Sequence, residues 1–464
     1  MAKYQQYAEY KDSGVEWLGK IPSHWTMSKL RYLFDFSKGL SITKENLQDE
    51  GIPCVNYGEV HSKYGFEVDP KKHLLKCVSE NYLKTSENAL LNNGDFVFAD
   101  TSEDLKGSGN FTHLVGDEQI FAGYHTVIAR PHNANASRFY AYLFESKEFR
   151  SQIHLAVKGV KVFSITQAML RSANAWLPST DEQVKIANFL DHETAKIDSL
   201  IEKQQQLIQL LKEKRQAVIS HAVTKGLNPN VMMKDSGVEW LGQVPEHWEV
   251  SKIQYYAKIE SGHTPSKSIE KYWENCTIPW ISLNDSKQLR VVDYISDTAF
   301  EISELGLANS SARILPKNTV VFTRDASIGL SAITTKEMAV SQHLIAWLPK
   351  TEKLCPEFLL LIFYAMEKEF DRYTFGSTIK TIGMDNIRSL TATFPSLVEQ
   401  KKIVDWCFNQ FKTIDKSIAK SNALLTILRE RRTALISAAV TGKIDVRNWQ
   451  NPNNNNEAKM EFSA

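Results

Sequence analysis

Apolar residues recur with alternating spacings of three and four residues in two long stretches of the chain, 179–226 and 396–443. This spacing is typical of a helix with one apolar seam that needs a partner helix. The seam predicts that the two helices pair with each other as an antiparallel coiled coil. At ~1.5 Å per residue, each would be ~65 Å long. Buried helices of a larger bundle are the alternative. The seam residues are Ile186, Leu190, Ile197, Ile201, Ile208, Leu211, Val218 and Ala222 in the first stretch, and Ile403, Cys407, Ile414, Ile418, Leu425, Leu428, Leu435 and Ala439 in the second.

Both stretches carry signals for a helix start and a helix end. A proline and then a serine precede each seam, and a glutamate follows three residues after the serine: Ser179 with Glu182, and Ser396 with Glu399. This pattern predicts a capping box, in which the serine hydroxyl and the glutamate each bind a free backbone amide. A glycine close to the end of each stretch predicts a left-handed cap.

A second motif also occurs twice. The segment KDSGVEWLGKIPSHWTMSK at 11–29 returns as KDSGVEWLGQVPEHWEVSK at 234–252. The chain is therefore an internal duplication, in which each copy has an arm, a globular head and one long helix. The apolar anchors of the arm predict that it packs on its own head or on an end of the coiled coil. In the first copy these anchors are Trp17, Leu18, Pro22 and Trp25.

The heads combine short strands with helices, so the predicted fold class is α+β. Strands are predicted near 52–56, 95–99 and 126–129, and again near 278–282, 319–323 and 344–347. Helices are predicted over 138–150 and 357–373. The architecture is then two mixed α/β heads separated by a long antiparallel two-helix coiled coil, with pseudo-twofold duplication. The predicted domains are the first arm and head (1–178), the first helix (179–226), the second arm and head (227–395), the second helix (396–443) and a partly disordered tail (444–464).

Composition narrows the class of protein only a little. The 464 residues carry a net charge of +1, so nucleic-acid binding would need a local basic face and not a basic total. The five cysteines form no CxxC pair, which indicates neither a zinc knuckle nor a disulfide framework. There is no apolar run long enough to cross a bilayer and no signal-peptide core at the N-terminus. We expect a cytoplasmic, reduced protein without a membrane partner.

Known catalytic motifs are missing from the sequence. It contains no phosphate-binding GxxxxGK[ST] loop, no GxGxxG fingerprint, no adenine-methylase tetrad, no PD dipeptide of restriction-type nucleases and no HExxH or EF-hand pattern. We therefore predict no catalytic residue, no bound cofactor and no metal site in this chain. An enzyme of unrecognised type stays open as an alternative.

Polar, basic and glycine-bearing loops stand at corresponding places in both heads. Arg, Lys, Asn and Gln suit base edges, and Ser, Thr and Lys suit phosphate, so these loops are predicted to bind DNA. For any one of these residues the alternative is a solvated loop position, and the two histidines of the set could equally be buried structural residues. The candidates are Lys38, Asn56, Tyr57, Thr101, Ser102, Lys106, Tyr124, His125, Lys158 and Lys161 in the first head, and Ser261, His263, Asn284, Arg324, Gln342, His343, Thr378 and Lys380 in the second.

The duplicated motifs together resemble the specificity subunit of Type I restriction-modification systems. The resemblance rests on the repeated KDSGVEWLG…P…HW arm, the EQ…KI…ID…I start of each long helix, and the ends KEKRQAVISHAVT and RERRTALISAAVT. It implies a non-catalytic subunit whose two target-recognition domains each read one half of a split double-stranded DNA site. It also implies two modification subunits that use S-adenosylmethionine, and two restriction subunits that use ATP and Mg²⁺. Basic residues late in the helices, where this family contacts its modification subunits, are Lys214, Arg215, Arg431 and Arg432; solvated charge is their alternative.

Two other classes remain as alternatives to this resemblance. One is a stand-alone structural or transcriptional DNA-binding protein with two heads and no methylase partner. The other is the unrecognised enzyme. Because the heads are the variable part of the family, the resemblance predicts neither the bases that are read nor the gap between the half-sites.

Overall fold

Two long helices, Thr180–Lys225 and Leu397–Val440, extend through the parts of the chain where the seam predicts them. The computed structural model describes residues 4–157, 162–375 and 380–452. The chain divides into two compact units. Unit 1 comprises residues 1–204 and 424–464, and unit 2 comprises residues 205–423. The first long helix therefore begins in unit 1 and ends in unit 2, and the second begins in unit 2 and ends in unit 1.

Within each unit the two helix segments pack antiparallel. In unit 1, Lys185 Nζ donates to the carbonyl of Arg447 at 2.9 Å, and Arg432 Nε donates to Asp198 at 2.8 Å. Every predicted seam residue is buried or half-buried. The head shares in covering the seam, since the helix segments and the head helices form one core in each unit. The predicted pairing of the helices is confirmed.

The helix starts differ from the prediction in one respect. Ser179 Oγ accepts from the Glu182 amide at 3.4 Å, and Ser396 Oγ accepts from the Glu399 amide at 3.4 Å. Glu182, however, does not return to the backbone and instead binds the N-terminal segment and the first arm. It accepts from Tyr7 Oη at 2.6 Å and Trp25 Nε1 at 3.1 Å, and lies 2.8 Å from His24 Nε2. The prediction of this second half of the capping box was wrong, because the buried donors of the arm compete for the carboxylate of Glu182.

The glycines after the helices adopt the predicted left-handed conformation. Gly226 has φ +75° and Gly442 has φ +73°. A Cβ on Gly442 would lie 2.3 Å from Pro22, so a side chain here would displace the first arm. The arm and the end of the second long helix therefore fit together in unit 1 only with glycine at this position.

Unit 1 contains the first arm and head. Its shorter helices are Tyr82–Thr85, Ser137–Glu145, Lys147–Ala156 and Gln167–Ser172, with 3₁₀ turns at Leu30–Tyr32, Lys44–Asn46, Glu87–Ala89 and Ala134–Ala136 and a π turn at Glu59–Lys63. Its strands are β1 Tyr10–Asp12, β2 Lys20–Pro22, β3 Thr26–Lys29, β4 Phe34–Lys38, β5 Ile52–Val55, β6 Phe66–Val68, β7 Cys77–Val78, β8 Leu90–Leu91, β9 Phe96–Ala99, β10 Thr101–Ser102, β11 Phe111–Leu114, β12 Ile120–Ala122, β13 Thr126–Pro131, β14 Phe163–Ser164 and β15 Asn174–Leu177.

Unit 2 contains the second arm and head. Its shorter helices are Ser286–Leu289, Glu304–Ala308, Pro356–Ala365 and Met384–Ser389, with 3₁₀ turns at Ile253–Tyr255, Glu270–Trp273, Leu283–Asp285 and Glu369–Tyr373. Its strands are β16 Met233–Asp235, β17 Gln243–Pro245, β18 Glu249–Lys252, β19 Ala257–Ser261, β20 Ile278–Ile281, β21 Tyr294–Ile295, β22 Phe300–Ile302, β23 Val320–Thr323, β24 Ser331–Thr334, β25 Ala339–Val340, β26 Leu344–Pro349, β27 Thr374–Phe375, β28 Thr381–Ile382 and β29 Thr391–Phe394.

The main sheets of the two heads have the same strand order. The order is β4-β13-β9-β11-β6 in the first head and β19-β26-β23-β24-β21 in the second, and the last pair is parallel in both. In each head one strand of the arm pairs with the strand before the long helix, β3 with β15 and β18 with β29. Antiparallel and parallel pairs occur together, so the α+β class with mixed sheets and internal duplication is confirmed.

Two helix boundaries and the C-terminal segment depart from the predictions. The helix expected over 138–150 is broken at Ser146, whose extended backbone and hydroxyl, accepting from Phe149 N, begin a second helix. The helix expected over 357–373 ends at Ala365 and continues as a 3₁₀ turn. Ile444 and Val446 are buried in the core of unit 1, so residues 444–449 are not a tail. The end of the predicted disordered segment, 453–464, lies outside the described residues.

The carboxylate of Glu182 generates a stability prediction with a matched control. Substituting Glu182→Ala leaves the buried Tyr7 hydroxyl and Trp25 indole without an acceptor, which should lower the free energy of unfolding by about 2 to 4 kcal/mol. The control is Glu399→Ala, because Glu399 is partly exposed and pairs with His247 at 3.0 Å. Its loss should cost less than about 1 kcal/mol. Chemical denaturation of the full chain measures both, and equal losses would contradict the assigned role of Glu182.

A histidine in the core of the first head generates a prediction about pH. His113 is buried and stacks on Phe96 with ring centroids 4.8 Å apart. Its ring nitrogens have no hydrogen-bond partner within the described residues. Burial, assisted by the charge of Arg138, lowers the pKa of His113 to about 3. The folded chain therefore holds this imidazole neutral at pH values where an unfolded chain would protonate it.

Unfolding of unit 1 should accordingly become easier as the pH falls from about 6.5 towards 3. In that window the unfolded state binds a proton that the folded state does not, so His113 should lower the free energy of unfolding by about 1.4 kcal/mol per pH unit. The loss ends below the folded pKa. Substituting His113→Phe keeps an aromatic ring and should remove this share of the pH dependence. Parallel denaturation series between pH 7 and pH 4 test it, and identical slopes for the two proteins would refute the assignment.

Candidate nucleic-acid interface

In both heads a glycine directly after an edge strand of the main sheet lies very close to the backbone of a neighbouring turn. Gly39 follows β4 and Gly262 follows β19. A Cβ on Gly39 would lie 2.2 Å from the carbonyl oxygen of Gly123, and a Cβ on Gly262 would lie 1.8 Å from that of Val340. Only glycine permits these close approaches. Each approach brings the strand end against the turn that carries His125 or His343.

Each of these turns presents a histidine paired with an aspartate. His125 Nδ1 lies 3.2 Å from Asp100 Oδ1, and His343 Nδ1 lies 2.7 Å from Asp325 Oδ2. The side chains of the two histidines are 58% and 40% exposed, which rules out the alternative of buried structural histidines. The two histidines occupy the same place in the two sheets, because the amides of Asp100 and Arg324 bind the carbonyls of His125 and His343. The aspartate of the second pair, Asp325, lies one residue further along the chain than the position that matches Asp100.

The first head surrounds its pair with aromatic rings. Tyr57, Tyr124 and His125 form a cluster whose ring centroids lie 5.9 to 6.4 Å apart. Lys38, at the end of β4, and Lys106 are exposed, and Thr101 is half-buried in β10. Such rings and lysines can contact bases and phosphates, respectively.

Two candidates of the first head are not available to a ligand, which corrects their assignment. Asn56 is buried, and its backbone and side-chain amides donate to Glu59 at 3.2 and 3.3 Å, so it caps the following helical turn. Ser102 is buried, and its hydroxyl donates to the carbonyl of Asp104 at 2.6 Å. Both side chains are thus bound by groups of their own turns. Lys158 and Lys161 lie outside the described residues.

The second head surrounds its pair with amide, hydroxyl and guanidinium groups. Gln342 is exposed, and Arg324 Nε lies 3.6 Å from Asp325 Oδ1. Ser261, His263 and Asn284 are also exposed at this end of the head. The exposed Lys380 lies 3.7 Å from Asp371. Thr378 lies outside the described residues.

Sequence reasoning missed Asp100, Asp325 and Thr381, which complete these groups, whereas Thr264 ends the candidate loop that begins at Ser261. Asp100 and Asp325 are separated from their histidines by 25 and 18 residues. The hydroxyl of Thr381 binds Asp325, and that of Thr264 binds Gln342. The spacing of these residues along the sequence does not indicate such pairs, because the pairing of strands in the sheet brings them together. The repeated strand order was the one available signal.

The basic residues late in the long helices divide into two kinds. Arg215 lies over the ring of Phe411 at 4.3 Å and 3.8 Å from Asp293, within unit 2. Arg432 binds Asp198 at 2.8 Å, within unit 1. Arg432 therefore joins the two long helices in unit 1, and Arg215 joins its helix to the other long helix and to the head in unit 2. Lys214 and Arg431 are exposed and keep the predicted partner-binding role as a prediction.

The described residues contain neither a metal-binding group of side chains nor a membrane-spanning helix. Across residues 4–157, 162–375 and 380–452, no group of three or more His, Cys, Asp or Glu side chains is arranged to hold a metal ion. In the same residues, no helix combines the length and the apolar content that crossing a bilayer requires.

The sequence model of the Type I restriction modification DNA specificity domain matches residues 22–210 and again residues 245–426. These two ranges cover most of the chain and follow its duplication. The chain belongs to the Type I restriction-modification specificity subunits.

Individual members of this family agree with the match. The MjaVIII specificity subunit of Methanocaldococcus jannaschii is 23% identical over 444 residues, covering 92% of this chain and 95% of that protein. The MjaIX specificity subunit of the same organism is 29% identical over 187 residues, so that alignment spans 40% of this chain and 42% of its relative.

A solved structure has a fold similar to that of this chain. It carries the description "structural basis underlying complex assembly and conformational transition of the type I R-M system" and superposes with a TM-score of 0.67 at 15% identity. The superposition covers 91% of this chain and 99% of that one. The shared architecture is therefore retained at low sequence identity.

Proposed function

We propose that this chain is the DNA-reading subunit of a Type I restriction-modification complex, and that each head reads one half of a bipartite DNA site. The observation that carries the proposal is the surface around His125 in the first head and around His343 in the second, which we call the rim of each head. The same sheet order places this exposed histidine, paired with an aspartate, at the same position in both heads, with different polar neighbours. Two heads that share one strand order but carry different side chains around the histidine suit a DNA site with two different halves.

The long helices supply the second part of the proposal. Each is one continuous helix of more than forty residues, and within each unit it packs against its counterpart. Such a pair can hold two heads at a fixed distance, because a packed helix pair is much stiffer than a flexible linker. We infer that these helices set the gap between the half-sites.

Catalysis and cofactors belong to partner subunits in this proposal. Two modification subunits would bring S-adenosylmethionine and methylate adenine, and two restriction subunits would bring ATP and Mg²⁺ for cleavage. No residue of this chain is assigned to these cofactors. The exposed Lys214 and Arg431, on the long helices, are the proposed contacts for the modification subunits, since an exposed charge can pair with a charge of a partner.

Methylation mapping tests the proposal directly. Cells that express this chain together with its modification subunits should carry methylated adenine in one interrupted, two-part sequence. The chain expressed without those subunits should leave no methylation. The competing class, a stand-alone two-headed DNA-binding protein, predicts sequence-specific binding by the purified chain and no association with the modification subunits. Co-purification distinguishes the two.

The matched histidines provide a test of the independence of the heads. Substituting His125→Ala should relax base preference in one half-site, and substituting His343→Ala should relax it in the other. Losing one base-edge contact costs about 1 to 3 kcal/mol, or roughly a 5- to 150-fold loss of discrimination. Methylation mapping of both variants measures the effect. If either variant disturbed both halves equally, the heads would not act as separate readers.

The spacer can be lengthened without breaking its seam. Seven residues inserted into each long helix, after Gln204 and after Ala423, add one heptad to each and ~10 Å to the pair. At ~3.4 Å per base pair, the gap should grow by about three base pairs while both half-sites stay the same. The control places the insertion in one helix alone, which should abolish specific methylation because the seams no longer match. An unchanged gap after the paired insertion would eliminate the helices as the spacer.

A further inference from the structure

A continuous chain of hydrogen bonds supports Gln342 on the rim of the second head. His343 Nδ1 lies 2.7 Å from one oxygen of Asp325, and the hydroxyl of Thr381 donates to the other oxygen of that carboxylate. Gln342 Nε2 lies 3.4 Å from His343 Nε2. The hydroxyl of Thr264 donates to Gln342 Oε1. Five side chains are thus connected from the half-buried Asp325 out to the exposed amide.

When the His343 ring is neutral, the chemistry of these groups fixes the direction of every bond. An ionised carboxylate only accepts, so His343 must present Nδ1–H to Asp325. In the neutral imidazole the lone pair then lies on Nε2, which faces Gln342 and can only accept. Gln342 must therefore direct its NH₂ group towards His343 and its carbonyl oxygen towards Thr264. The orientation of the amide is determined by the protein before any ligand arrives.

An amide held in this way has a defined pattern left over for recognition. One N–H of Gln342 and one lone pair of its Oε1 remain unused on an exposed amide group. A donor beside an acceptor matches adenine in the major groove, which offers N7 as an acceptor and N6–H₂ as a donor. Guanine offers two acceptors, N7 and O6, so the glutamine oxygen would meet another oxygen. The fixed amide thus separates the two purines.

We infer that Gln342 reads an adenine in the half-site bound by the second head, with Thr264, His343, Asp325 and Thr381 as positioning residues. The inference rests on the proposed function and names one base contact within it. Prior orientation lowers the entropy lost on binding, because the amide and its neighbours are already ordered.

The first head provides an internal comparison. It retains the histidine–aspartate pair, His125 with Asp100 at 3.2 Å. The residue before the histidine is Tyr124, in the place that Gln342 takes in the second head. A phenol ring has no donor–acceptor pair of amide geometry, so the first head should lack an adenine contact of this kind.

The experiment uses the complex of this chain with its modification subunits and the site found by methylation mapping. Each adenine of the second half-site is replaced in turn by 7-deazaadenine, which removes the N7 acceptor and keeps base pairing. At one position the affinity of the wild-type complex should fall roughly tenfold or more. In the Gln342→Ala complex the same replacement should have no further effect. Replacements in the first half-site should change the affinity by the same amount in the wild-type and Gln342→Ala complexes.

Two further variants separate positioning from mere stability. Thr264→Val removes the hydroxyl that orients the amide and should reduce the preference for adenine over guanine at the same position, while Thr264→Ser should restore it. Reading of the first half-site by these variants shows that the chain is folded. Site-specific binding without any Gln342-dependent adenine overturns the inference and leaves the proposed function standing. A complex that recognises no defined sequence overturns both.

Discussion

The apolar seam of the long helices is the constraint on which the rest of the structure depends. Helices of 46 and 44 residues cannot keep such a seam from water without a partner. Each unit solves this by packing a segment of one helix against a segment of the other, under a head that closes the remaining side. The arm strands, the cap glycines and Glu182 all act at the places where helix ends, heads and arms meet.

What could be predicted from the sequence follows from periodicity and repetition. The seam, the duplicated arms and several strands were visible because each is a local pattern. The break at Ser146 was not, because the apolar pattern continues across it and the stop is made by one serine hydroxyl. The role of Glu182 was hidden for a similar reason: a local capping signal was outcompeted by donors 157 and 175 residues away.

The candidate interface shows the same division between local and distant information. Loop chemistry pointed to both histidines and to Gln342, which the structure places on exposed rims. It also pointed to Asn56, which donates to the carboxylate of Glu59, and to Ser102, whose hydroxyl binds the backbone of its own turn. Asp100 and Asp325 escaped notice because strand pairing, not spacing, brings them to their histidines. The frame is common to both heads, whereas the residue before the histidine differs, Tyr124 in the first head and Gln342 in the second.

The division of the chain between the units also has a consequence for its synthesis. Unit 2 is one uninterrupted stretch, 205–423, whereas unit 1 takes its core from both ends of the chain. Leu428, Ile436 and Ile444 belong to that core, and the amide of Asp445 binds the carbonyl of Gln5 at 2.8 Å. The core that the first head shares with the long helices can therefore close on the ribosome only after these C-terminal residues have been made. The residues of unit 2 are all made before that, although its head comes later in the chain.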